Sequence, residues 1–246
     1  MKTIQVVAVR VSEAACLVVD ESDVLSAAEL SKAERFRKRE DRWRFMIGRA
    51  SLRALIGERL CVEPDSLEFG ANAHGKLHLL SNPDASLWFN TSHSGEWVLH
   101  ALGDGGPLGI DIEQVKSSMR SLEDFRMVFS KPESDRLRRV SPADRPQQVA
   151  LAWARKEAYV KAIGEGLNRS MRDISIEPGP DGRPVLAYDR NPPTLRQDWS
   201  IRDVPVADGH AASVVWSGGA LDVDVREWEM GIGAQGLTVS EAAAHA

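Results

Sequence analysis

Cysteine is nearly missing from this chain. Cys16 and Cys61 are the two present in 246 residues, too few for a disulfide framework or a structural zinc site. Neither has neighbours that would make it a nucleophile. Long apolar runs are missing too. No stretch approaches the roughly 20 residues of a membrane span, and the opening MKTIQVVAVRVSEAACLVVD is interrupted by Arg10 and Glu13 before an apolar core of signal-peptide length forms. A reduced, cytoplasmic setting is the expectation. Excess positive charge is also absent: 31 Lys and Arg against 36 Asp and Glu leave a net charge of -5. The chain as a whole therefore has no pull toward nucleic acid or anionic lipid, and neither nucleic acid nor membrane is expected as a partner. What remains is ordinary for a globular protein, 43% hydrophobic and 27% charged, in a length that suits one large domain or two of roughly 100 residues.

Two stretches carry chemistry. Leu151 to Leu167, LAWARKEAYVKAIGEGL, reads as an amphipathic helix with Val149, Trp153, Val160 and Ile163 near the spacing of a buried stripe. Glu157 and Lys161, four residues apart, then share a face. Pro107 to Val115, PLGIDIEQV, alternates like a strand buried on one face, with Asp111 and Glu113 about 6.6 Å apart on the other. Acidic residues are depleted in strands, so two in register need a reason. A divalent cation is one, because hard oxygen ligands suit Mg2+, and Glu157 supplies a third carboxylate for a Mg2+ site made of Asp111, Glu113 and Glu157.

GIDIE at Gly109 to Glu113, WARKEAYVK at Trp153 to Lys161 and FNTSHS at Phe89 to Ser94 together resemble the 4'-phosphopantetheinyl transferase superfamily, in the longer type that activates peptide and polyketide synthetases. The likeness extends from about Leu25 to Leu167. It implies transfer of the phosphopantetheine arm of coenzyme A, the co-substrate, to a serine of an apo carrier protein of a peptide, polyketide or fatty-acid synthase, releasing adenosine 3',5'-bisphosphate with Mg2+ as cofactor. Glu157 is the first choice of general base and Glu133 the second. Lys161 stabilises or protonates the departing phosphate, and Lys156, about 100° around the helix from Glu157, is expected as a phosphate contact. The coenzyme A clamp implied is Lys32, Arg44, Gly75, Lys76, Ser92 and His93, with Asp111, Lys156 and Lys161 beside it. Ser92 and His93 are placed in a turn, and the other five histidines are taken as bystanders. Glu29 departs from the family, standing where another lysine is usual, and Leu77 stands where proline is usual.

The chain also repeats. Ile56-Gly57-Glu58 returns as Ile163-Gly164-Glu165 and Gly75-Lys76 as Gly182-Arg183, both at an offset of 107, while Leu25-Ser26 with Glu29 returns as Phe129-Ser130 with Glu133 at 104. Two related halves follow, about 1–106 and 107–220, joined at Asp104 to Pro107. The fold class expected is α+β, a pseudo-dimer of two similar halves, each a small, mostly antiparallel sheet packed with helices. The first half would supply coenzyme A-binding groups and the second the Mg2+ and catalytic residues. At an offset of 107, Lys156-Glu157 lies opposite Arg49-Ala50, so one catalytic site is expected, in a monomer, with 229–246 a mobile tail.

Lys32 to Arg49 holds eight basic residues against three acids, a surface for phosphates or an acidic partner. Arg120 to Arg139, with Met119, Phe125, Met127 and Phe129, is the expected carrier-docking surface. Two other readings fit the same residues less fully. A non-catalytic coenzyme A or carrier binder would not need all of Asp111, Glu113, Glu157 and Lys161. A metal-dependent phosphodiesterase would use the carboxylates with water, but stacking aromatics on the basic stretch are limited to Phe36, Trp43 and Phe45.

Overall fold

Alternating apolar residues at the start of the chain form β1 (Thr3–Arg10) in the computed structural model, which describes residues 3–12, 15, 16, 19, 23–81, 86–166, 169–192, 198–219, 221–233 and 236–241. Then come α1 (Ala27–Glu34), α2 (Arg39–Leu60), the hairpin β2 (Phe69–Ala71) and β3 (Leu77–Leu79), β4 (Trp88–Ser94) and β5 (Trp97–Gly103). The order begins again with β6 (Leu108–Gln114), α3 (Lys131–Arg139), α4 (Arg145–Ile163), β7 (Ile174–Pro178), β8 (Pro184–Asp189), β9 (Trp199–Val204) and β10 (His210–Ser217). The five-stranded sheet contains the run β1-β5-β4 and the three-stranded sheet is β6-β10-β9, the same arrangement twice, while β2-β3 and β7-β8 are two-stranded sheets of their own.

The repetition reaches individual bonds. Ser26 and Ser130 each cap a helix in a capping box with a glutamate three residues on. In the β2–β3 turn the Asn72 N–H donates to the Lys76 carbonyl, and in the β7–β8 turn the Gly179 N–H donates to that of Arg183. The capping glutamates are also matched. Glu29 takes Arg49 and Arg53, and Glu133 takes Lys156. Arg53 then donates to the Leu67 carbonyl and Lys156 to that of Ile174, two positions related by the same offset as the repeated Ile-Gly-Glu. The unusual Glu29 is thus the first half's copy of Glu133, neutralising buried cations.

The two sheets face each other. Ile4, Val6 and Ala8 of β1 share one core with Ile110 and Ile112 of β6 and Val214 and Trp216 of β10. The alternate residues point the other way: Val7 and Val9 pack under α2, while Gly109, Asp111 and Glu113 of β6 turn toward α4. Strand alternation thereby decides which side chains meet the helix.

Several boundaries differ from expectation. The helix expected from Leu151 begins at Arg145, with Pro146 in its first turn, and stops at Ile163, where Gly164 takes φ +75°; Leu167 lies outside the described residues. Ser92 and His93 belong to β4, and the turn is only Gly95 and Glu96. After Trp228 the described residues include strand: β11 (Asp222–Gly233) pairs parallel with β1 and antiparallel with β12 (Gly236–Glu241). The chain thus returns to the first half's sheet after residue 220; residues 242–246 lie outside the described residues.

Under α2, His100 is fully buried and its ring nitrogens meet the hydroxyls of Ser51 and Thr91 at 2.8 Å each. Burial first, and Arg49 second, hold its pKa down at about 3, far below the 6.5 of a free imidazole. The unfolded chain therefore binds a proton here that the fold refuses. Stability is full above pH 6.5 and falls on acidification toward about 3. In urea titrations the wild type should lose stability at a rate approaching about 1.4 kcal/mol per pH unit more steeply than His100→Gln between pH 6 and 4.

Candidate active site

The site begins with a glycine. A Cβ at Gly109 would lie 2.1 Å from the Ala158 carbonyl oxygen and 2.4 Å from the Ala162 amide nitrogen, so β6 lies against α4 as closely as backbones can. No larger residue fits without prying strand from helix. The next outward-facing residues of β6, Asp111 and Glu113, are brought beside Glu157 and Lys161, one turn apart on α4.

The Lys161 ammonium donates to Asp111 Oδ1 at 2.6 Å and to Ser92 Oγ at 2.7 Å, and Ser92 itself donates to the same carboxylate oxygen at 2.8 Å. Asp111 is 3% exposed, yet its second oxygen, Oδ2, is buried without a hydrogen-bond partner among the described residues. Such a group costs about 1–3 kcal/mol or more when charged. Burial raises the pKa of Asp111, against the pull of Lys161. Burial first, then Asp111, then Glu157 raise Glu113 to about 7. Burial and Asp111 likewise raise Glu157. Three carboxylates thus crowd one place with one ammonium among them. Among the described residues no three His, Cys, Asp or Glu side chains are gathered as a ready metal site, so the expected three-carboxylate Mg2+ set is not preassembled.

These groups line a cleft of about 720 Å3 between the halves, with Gly75, Lys76, Asn90, Thr91 and His93 from the first and Val160, Gly164 and Gly166 from the second. Asn90 joins the sheets by accepting from the Ile110 amide at 2.9 Å. His93 is held below the usual histidine pKa by desolvation, then by Arg44 and Lys161. Its imidazole is therefore neutral at pH 7.

Other expected site residues lie elsewhere. Lys156 is wholly buried and spends its ammonium on Glu133 and the Ile174 carbonyl, so it is not placed as a phosphate contact. Glu133, 1% exposed, also accepts from the Ser130 and Ile176 amides. Its lone pairs are committed to holding α3, α4 and β7 together, and it does not line the cleft, which removes it as a base. Lys76 is not free either: its ammonium donates to three main-chain carbonyls, those of Leu108, Lys161 and Ala162, at 3.0, 2.7 and 2.8 Å. Lys32 is exposed and sits over the Phe45 ring. Arg44 donates to Asp41 and to the Gly95 carbonyl, outside the cleft lining but close enough to act on His93. Met119, Phe125 and Phe129 are core, and Met127, 66% exposed, is the one of the four open to a partner.

Sequence reasoning passed over Asn72, whose side-chain amide donates to the Gly164 carbonyl across the halves at 2.9 Å, and over His74, which lines the cleft. An Asn two residues before a histidine in a Gly-Lys turn signals the turn, not its docking.

Comparison with known proteins identifies the family. Residues 107–215 match the model of the 4'-phosphopantetheinyl transferase superfamily and residues 18–103 that of the 4'-phosphopantetheinyl transferase N-terminal region. The 4'-phosphopantetheinyl transferase HetI of Nostoc sp. (strain PCC 7120) is 32% identical over 201 residues, 81% of each chain. This chain belongs to the 4'-phosphopantetheinyl transferase superfamily. The transferase Sfp of Bacillus subtilis (strain 168) is 32% identical over 159 residues, 65% of this chain and 69% of that one, which agrees with the longer type. A holo-(acyl-carrier-protein) synthase from Bacillus anthracis, solved in complex with CoA (3',5'-ADP), is 24% identical with a TM-score of 0.39, over 46% of this chain and 96% of that one.

If the strand–helix approach sets this transferase's site, Gly109→Ala should lower stability by about 1–3 kcal/mol in urea unfolding. It should also cut turnover by about a hundredfold, the effect of a shift near 1 Å at the reacting groups.

Proposed function

We propose that this chain transfers 4'-phosphopantetheine from coenzyme A to a serine hydroxyl of an apo carrier protein, releasing adenosine 3',5'-bisphosphate. The observation that carries the reading is Asp111, whose Oδ1 is saturated by Lys161 and Ser92 while its buried Oδ2 has no partner among the described residues.

That orphaned oxygen, beside two further carboxylates whose protonation is favoured by burial first and then by the charge of Asp111, fits a divalent cation. Mg2+ keeps several waters and takes only one or two protein carboxylates plus phosphate oxygens, so a closed three-carboxylate cage is not required. Asp111 and Glu113 would hold it, with Glu157 reached directly or through a water. Bound there, Mg2+ would neutralise the pyrophosphate and act as Lewis acid.

The chain's own groups divide the remaining work. The carrier serine oxygen forms a bond to the phosphorus bearing pantetheine, the pyrophosphate P–O bond breaks, and the serine proton passes to Glu157. The raised pKa of Glu157 makes it a stronger base than an ordinary carboxylate. Lys161 has three N–H donors, two of them on Asp111 and Ser92; the third is available to the departing phosphate. Neutral His93 offers a hydrogen bond to phosphate from the end of β4, and Ser92 steadies Lys161. Lys32 and Arg44 lie farther out as attraction for the 3'-phosphate. One site per chain and a monomer in the cytoplasm, serving carriers of peptide, polyketide or fatty-acid synthases, complete the proposal. No helix among the described residues is long and apolar enough to cross a membrane.

The test is the intact mass of an apo carrier protein after incubation with this protein, coenzyme A and Mg2+. A gain of one phosphopantetheine, absent without metal and reduced at least a thousandfold in rate with Asp111→Ala, about 4 kcal/mol of transition-state stabilisation, is expected. Coenzyme A binding with no mass gain on any carrier type would replace transfer by binding alone, and coenzyme A cleavage without an acceptor would point to a phosphodiesterase.

A further inference from the structure

Lys76 stands on the turn between β2 and β3, in the first half, and its ammonium is spent in the second. Its three N–H groups meet three carbonyl oxygens, Leu108 at the start of β6 and Lys161 and Ala162 in the last turn of α4, at 3.0, 2.7 and 2.8 Å. An ammonium has no fourth donor. The carbonyls at a helix C-terminus lack partners within the helix and carry the negative end of its dipole, so a cation there satisfies both needs. The Leu108 carbonyl belongs to the other element of the site, the strand that carries Asp111 and Glu113 three and five residues on.

One ammonium therefore ties together the two elements whose separation sets the distance from Asp111 to Lys161. The rest of the turn fits the same seam. Asn72 donates to the Gly164 carbonyl at 2.9 Å, and a Cβ at Gly164 would lie 3.2 Å from Asn72 Nδ2 and 3.3 Å from Lys76 Cδ. The left-handed glycine that ends α4 thus also clears room for the turn.

We infer that Lys76 is a positioning residue: from the first half it locks the end of α4 to the start of β6 and so holds Lys161 in register with Asp111, rather than binding a phosphate of coenzyme A. The inference rests on the transferase reading for its effect on rate. Its effect on the uncomplexed protein stands without it.

The test is Lys76→Met, which keeps much of the length and removes the donors, with Asn72→Ala as a milder cut in the same seam should the first variant fold poorly. Melting temperature without ligand, the dissociation constant for coenzyme A by calorimetry, and kcat with KM for coenzyme A are measured for each. A positioning role predicts a lower melting temperature in the absence of ligand, kcat down about ten- to a hundredfold, and coenzyme A affinity and KM within about twofold, with the same pattern at smaller size in Asn72→Ala. An unchanged melting temperature with coenzyme A bound tenfold or more weaker would make Lys76 a phosphate contact and overturn the inference. A lower melting temperature with unchanged kcat would reduce it to a structural tie and overturn it equally. Absence of transfer in the wild type, by contrast, would remove the function proposed above while leaving the melting and calorimetric comparison intact.

Discussion

The distance between one strand and one helix governs this site. β6 can lie against α4 only because Gly109 has no side chain, and that contact turns a strand pattern and a helix pattern, each unremarkable alone, into a cluster of three carboxylates and a lysine. A close backbone approach of this kind is unforgiving, since a well-packed interface does not yield a methyl group's width without moving what is attached to it. The polar consequences follow from the steric one. Burial raises the proton affinity of all three carboxylates, the charge of Asp111 adds to it at Glu113 and Glu157, and Lys161 offsets only part of the charge.

Around that contact the two halves use the same parts differently. Both fix their first helix with a serine-glutamate capping box and both neutralise the capping glutamate with a cation from the long helix. In the second half this fixes α3 and α4 to β7 and so gives the site a rigid wall. Glu133 and Lys156 are buried enough that removing either would strand the other, typically a loss of about 3–5 kcal/mol. Their place is in the scaffold, one step behind the groups that face the cleft.

Much of this was legible in the sequence. The alternation in GIDIE put Asp111 and Glu113 on one side of a strand, the helical period put Glu157 and Lys161 on one face, and the recurring offsets between matched segments exposed the duplication. Periodicity says which residues share a face and stays silent on what the face meets. Lys156 was therefore readable as a helix residue beside Glu157 but not as the partner of a glutamate on the preceding helix. Lys76 was read as a coenzyme A contact, and its place in the seam was not legible because the carbonyls that receive it lie 32 to 86 residues away in sequence. The parallel pairing of β11 with β1 was not legible either, because it joins segments 219 residues apart in sequence, Thr3 with Asp222, and leaves no local signal in either.

The duplication has a consequence for how this protein tolerates change. At the offsets that match the capping boxes and the long helices, Asp111 and Glu113 correspond to Val7 and Val9, and Glu157 and Lys161 to Ala50 and Ala54, all four of them core residues. Two positions that began as equivalents are now judged by different criteria. A substitution at Val7 registers through the amount of folded protein in the cell, where about 1–2 kcal/mol changes abundance severalfold, whereas one at Asp111 registers through what each folded molecule does.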